Sequence, residues 1–148
     1  MERVPPKITT RSLLLELDRF DAAFDHLFVA QFSVIGPNAL WIAVGAAVQP
    51  FSLMADTAVA MPRRGNTVPP AATSLSTSTS ASLALAARLS KRYASQVFLS
   101  LDLSSLADAG GGPASSDRAM LPLEKALIAQ LDQVLERPTR TAAPPSSF

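Results

Sequence analysis

The side chains that could carry chemistry gather early in the chain, where Glu16, Asp18, Asp21 and Asp25 precede the only histidine, His26. Carboxylates beside an imidazole could share general acid–base work, because each can hold or release a proton at moderate pH. The same residues also describe a solvated turn. That reading fits better, since charged side chains mostly remain in water. One histidine cannot furnish a multi-histidine metal site. With no cysteine, the chain has no disulfide, thiol nucleophile or cysteine zinc site. There is no Gly-x-Ser-x-Gly nucleophile elbow. Gly110-Gly111-Gly112-Pro113 lacks the Gly-Lys-Ser/Thr of a phosphate loop and is flanked by Asp108 and Asp117. It reads as a flexible connection. Arg63-Arg64 and Arg88, Lys91 and Arg92 are too few for a nucleic-acid stripe, and the net charge is only +1. Nothing in these patterns specifies an enzyme. The expectation is a non-catalytic protein with no cofactor, no metal and no nucleic-acid partner.

The elements that must position any binding residues are easier to read. With 148 residues, 48% of them hydrophobic, the chain has material for one packed domain. Residues 1–138 are expected to form that domain, with 139–148 a disordered Pro/Ser-rich tail. The opening Met1-Glu2-Arg3-Val4-Pro5-Pro6 contains no hydrophobic signal core. The longest apolar run, Ala39 to Val48, falls far short of the ~20 residues that span a bilayer. A reduced, intracellular compartment is the expected setting.

Ile8 to Leu17 reads as a strand, followed by an irregular or helical turn. His26–Ser33 and Ala39–Ala46 read as a hairpin around Ile35-Gly36-Pro37-Asn38. Leu53–Met61 is a third strand. The Ser/Thr-rich stretch 71–80 reads as a loop ending in a helix cap. A helix from about Ser80 to Tyr93 carries Leu85, Leu89 and Tyr93 on one face, with basic residues in its last turns. Ser95–Leu103 alternates as a strand. A Gly-rich loop is expected over 104–118. A second helix is then expected from about Ala119 to Glu136, where Leu127, Ile128, Leu131, Val134 and Leu135 form a stripe. Pro122 suits such a helix only in its first turn.

This order predicts an α+β (α/β) fold: a mainly antiparallel sheet with two helices on one face and the other face free for dimerisation. The strands are apolar on both sides, whereas a half-solvated antiparallel sheet alternates with polar residues. Phe28, Phe32, Trp41 and Phe98 are expected on the uncovered face, with Ser100 beside them. Four such aromatics would expose roughly 600–1,000 Å², more than a soluble monomer usually tolerates. At ~25 cal/mol per Å² their burial is worth roughly 15–25 kcal/mol before docking costs. A partner protein or the N-terminal segment could supply the cover.

The segments Thr73-Ser74-Leu75 through Ser80, Leu85-Ala86-Ala87-Arg88-Leu89-Ser90-Lys91-Arg92, and Gln96-Val97-Phe98-Leu99-Ser100 together resemble the proteasome assembly chaperone 4 family. Upstream, Thr57-Ala58-Val59-Ala60-Met61, His26-Leu27-Phe28-Val29 and Leu40-Trp41-Ile42-Ala43-Val44-Gly45 resemble its strands in the same order, so the likeness spans about residues 25–136. Trp41 is displaced relative to Gly45, and the Gly-rich loop and tail look like additions. The resemblance implies a heterodimer with proteasome assembly chaperone 3. It implies binding to 20S proteasome α subunits around the α5 subunit during α-ring assembly, release before maturation, and a cytoplasmic or nuclear location. Arg63 and Arg64 are the expected α-subunit contact. A small scaffold subunit of another intracellular complex is the alternative.

Overall fold

Residues 7–17, 27–47, 56–63, 71–75, 81–102 and 112–135 are described by a computed structural model, with side chains from residue 118 onward in the last segment. Strand-forming alternation in the N-terminal half yields β1 (Ile8–Glu16), β2 (Leu27–Ile35) and β3 (Ala39–Ala46). They pair as an antiparallel meander, with Leu15 opposite Phe28 and Phe32 opposite Ile42. Gly36 makes the β2–β3 turn at φ 63°, a conformation that costs glycine little because it has no Cβ. Next come β4 (Asp56–Met61), β5 (Ala71–Ser74), α1 (Ala81–Tyr93), β6 (Gln96–Leu101) and α2 (Gly112–Val134). The six strands form one sheet in the order β1-β2-β3-β6-β4-β5. Only β3 and β6 among these neighbours are parallel, so the sheet is mixed.

Both helices cover the same face. Leu85 and Leu89 of α1 and Leu123, Leu127 and Leu131 of α2 are buried against Ile42, Val97, Leu99 and their neighbours. The apolar stripe expected on α2 therefore faces the core. The helices are tied side by side. Arg88 Nε and Nη2 donate to the two Glu124 carboxylate oxygens, each at 2.8 Å. Tyr93 Oη donates to Asp132 Oδ1 at 2.8 Å.

Two segments depart from the sequence expectation. Residues 71–74 form the edge strand β5 rather than the start of a loop. Ala71-Ala72-Thr73-Ser74 has no hydrophobic alternation to announce a strand; its backbone is held by pairing with β4. Helix α2 begins at Gly112, not near Ala119, so Pro122 lies in its interior. Pro113 occupies the first turn instead, where a missing N–H is harmless. Pro122 still removes the amide that would have bonded the Arg118 carbonyl. Buried Leu123, Ala126 and Leu127 immediately after it hold the helix through that gap.

Candidate functional site

The second face of the sheet is built by registration. In the parallel β3–β6 pair, Trp41 lies opposite Phe98 and Ala43 opposite Ser100. Trp41 and Phe98 therefore meet on the side away from the helices. Their rings stack with centroids 5.5 Å apart and planes inclined by 23°. Both side chains are only partly buried, as are Val29 on β2 and Val59 on β4, which share this face.

Around this stack exposed apolar side chains lie toward the margins, interleaved with the polar Thr10, Gln31 and Ser33. Six large hydrophobic residues among those described are roughly half exposed, and five of them belong here. Ile8 and Leu14 come from β1, Leu27 from β2 and Met61 from β4. Leu75 follows β5, its amide donating to the Thr57 carbonyl at 2.8 Å. The sixth, Leu121, is on α2. Exposed apolar groups that converge on one face mark an interaction surface, whereas scattered ones need no explanation.

The expected aromatic group is divided by this geometry. Phe28 and Phe32 are each 1% exposed and lie on the helix-covered face, opposite Leu15, Ala46 and Ile42. Alternation places them one residue out of phase with Trp41, because antiparallel partners share a face and Phe32 is paired with Ile42. They are core residues. Ser100 does share the face of Trp41 and Phe98 but is 1% exposed, at a closed end with buried Ala43 and Thr57. Its Oγ has no hydrogen-bond partner.

The other candidates do not join this surface. Arg63 is exposed and borders a cavity of about 350 Å³ with Asn38, Met61, Ala94 and Gln96. Arg64, Asp18, Asp21, Asp25 and His26 lie outside the described residues. Glu16 is exposed at the end of β1. Among the described residues, no three His, Asp or Glu side chains are placed to hold a metal ion. No helix among them is long and apolar enough to cross a membrane.

Sequence patterning overlooked the polar groups that organise the covered side. Asp56 of β4 is buried at the start of α1, accepting from Ser82 Oγ at 2.7 Å and from Ser82 N at 3.4 Å. Tyr93 is 3% exposed, and burial first, then its bond to Asp132, pushes its phenol up to about 12. Both are long-range pairs, so no local spacing announces them. They hold β4, α1 and α2 together behind the sheet.

A family model described as Proteasome assembly chaperone 4 matches residues 28–103, about half of the chain. The match spans β2 to β6 and so includes both Trp41 and Phe98. No curated protein matches the chain.

Proposed function

The chain belongs to the proteasome assembly chaperone 4 family, and from that premise we propose that it pairs with proteasome assembly chaperone 3 through the sheet face bearing Trp41 and Phe98. The family's role is proteasome assembly, and a chaperone of this kind works by binding rather than by turnover. The observation that carries the reading is the concentration of exposed apolar side chains on the helix-free face. The heterodimer then holds 20S α subunits, around the α5 subunit, while the α-ring forms, and is released before maturation. Arg63, two residues after β4, and Arg64 are the proposed α-subunit contact.

The interface is less aromatic than four phenyl and indole rings would have made it. Trp41 and Phe98 together supply at most roughly 300–500 Å². A standard interface buries ~800 Å² per partner. The aliphatic margin at Leu14, Leu27 and Met61 must therefore provide much of the rest. Binding energy nevertheless concentrates in a central aromatic cluster shielded by such a margin.

The test is co-expression with proteasome assembly chaperone 3, followed by size-exclusion chromatography of wild type and of the Trp41→Glu/Phe98→Glu double variant. The double variant should fold, because neither side chain is in the helix-covered core, and should lose co-elution. Unchanged co-elution of the folded variant would remove this face from the heterodimer. In wild type, the single tryptophan supplies a second readout: its fluorescence should become less accessible to acrylamide when the partner binds.

A further inference from the structure

The outer edge of β1 is distinct from the aromatic face. β1 is nine residues long and pairs only with β2 among the described strands. The Gly36 amide donates to the Lys7 carbonyl at 3.3 Å. In an antiparallel ladder, hydrogen-bonded pairs alternate with non-bonded ones. Thr9, Arg11, Leu13 and Leu15 thus direct their backbone groups toward β2. Ile8, Thr10, Ser12, Leu14 and Glu16 direct theirs outward. The Thr10 and Ser33 hydroxyls approach to 3.0 Å, as expected of the closer side chains in a non-bonded pair.

Such an edge is a template for strand addition, and folded proteins usually blunt it with charge, proline, a bulge or a covering element. Among the described residues, β1 carries no proline or bulge and no charge along its outward positions except Glu16 at the end, and no other strand pairs with that edge. Its Ile8 and Leu14 are 59% and 55% exposed.

We propose that a second copy of this chain adds to this edge, β1 to β1, antiparallel about a twofold axis at Ser12. Length and charge together select that register. Pairing about Ser12 matches all nine residues, setting Arg11 opposite Leu13 and Glu16 opposite Ile8, so no like charges face each other. Of the two adjacent permitted registers, the one about Arg11 puts the two arginines directly opposite, which is unfavourable, and the one about Leu13 matches only seven residues. The sheet also leaves room for the incoming strand. A cavity of about 200 Å³ lies beside β1 and α2, lined by Leu14, Leu15, Ala126, Ala129 and Gln130. In the twofold register the second copy's Thr9 falls opposite Leu15, on the helix side, where this cavity opens and Gln130 can meet its hydroxyl. The product is a continuous twelve-stranded sheet, twice the six strands of one chain, that leaves Trp41 and Phe98 uncovered in both copies.

Sedimentation velocity of the purified full chain, without any partner, tests this. Wild type should show a concentration-dependent monomer–dimer equilibrium. Ser12→Pro removes an outward amide without touching the β1–β2 ladder, and should raise the dimer dissociation constant at least tenfold while leaving thermal unfolding of the monomer unchanged. Ser12→Lys, which keeps the amide but adds a charge, should weaken the dimer in the same direction. Hydrogen exchange should slow at Thr10, Ser12 and Leu14 on dimerisation, whereas the Leu13 amide is protected in both states. A chain that is monomeric at every concentration overturns the proposal. So does a dimer that survives Ser12→Pro but is lost in Trp41→Glu/Phe98→Glu. Neither result bears on pairing with proteasome assembly chaperone 3, which is read from a mixture of the two proteins.

Discussion

Tyr93 is the one tyrosine of the chain, so its ionisation can be read without ambiguity from tyrosinate absorbance. Burial and Asp132 raise its pKa to about 12 in the fold, against 10.0 for the free phenol. Between those values the unfolded chain has released the proton and the folded chain still holds it. Stability from this group is therefore full below pH 10 and is lost as pH rises through 12. Spectrophotometric titration should place the midpoint near 12, and urea unfolding should show the matching decline. A Tyr93 midpoint at its ordinary value would mean that neither the burial of the phenol nor the Asp132 bond is kept in solution. One residue further on, Ala94 adopts φ 49° and closes α1. The Ser95 amide reaches back to the Ser90 carbonyl, a helix ending that usually employs glycine.

At the scale of elements, α1 is placed by a contact from outside itself. The first turn of a helix leaves backbone amides without intrahelical partners. Asp56 reaches one of them, on Ser82, from the neighbouring strand β4. Asp56→Ala should leave the Ser82 hydroxyl without its acceptor and lower stability by about 1–3 kcal/mol in urea unfolding. Loss of less than half a kcal/mol (~0.5) would assign the positioning of α1 to its Leu85 and Leu89 packing alone. The Arg88–Glu124 pair, with Arg88 half exposed, contributes less, because solvent screens such pairs to within ~1 kcal/mol.

For the whole molecule, the two faces of one sheet have different work. The helix-covered face stabilises the chain; the opposite face is the one proposed for association. Two substitutions separate them. Phe32→Ala, in the core, should cost roughly 3–5 kcal/mol of stability. Phe98→Ala, on the partly open face, should cost much less stability yet weaken partner binding. Denaturant unfolding together with binding measured on the folded fraction checks both. The reverse pattern would mean that the roles of the faces have been exchanged.

Much of this architecture is already present in residue order. Turn residues at Gly36-Pro37-Asn38, alternation in Ala39–Ala46 and Gln96–Leu101, and the Leu85/Leu89/Tyr93 stripe mark elements at close to their observed bounds, because each depends on neighbours a few residues away. The motifs that resemble the chaperone family are local as well, and the family match over residues 28–103 covers all of them but His26 and Leu27. Which side of the sheet each strand shows to the helices is another matter. Phe28 and Phe32 share one side of β2, but whether that side is the side of Trp41 depends on how β2 registers with β3. A shift of one residue would reverse the answer, since strand side chains alternate with period two. Likewise β5, Asp56 with Ser82, and Tyr93 with Asp132 gain their structure from partners far along the chain. Local pattern thus set the elements, and only tertiary pairing decided which aromatic residues became core and which became surface.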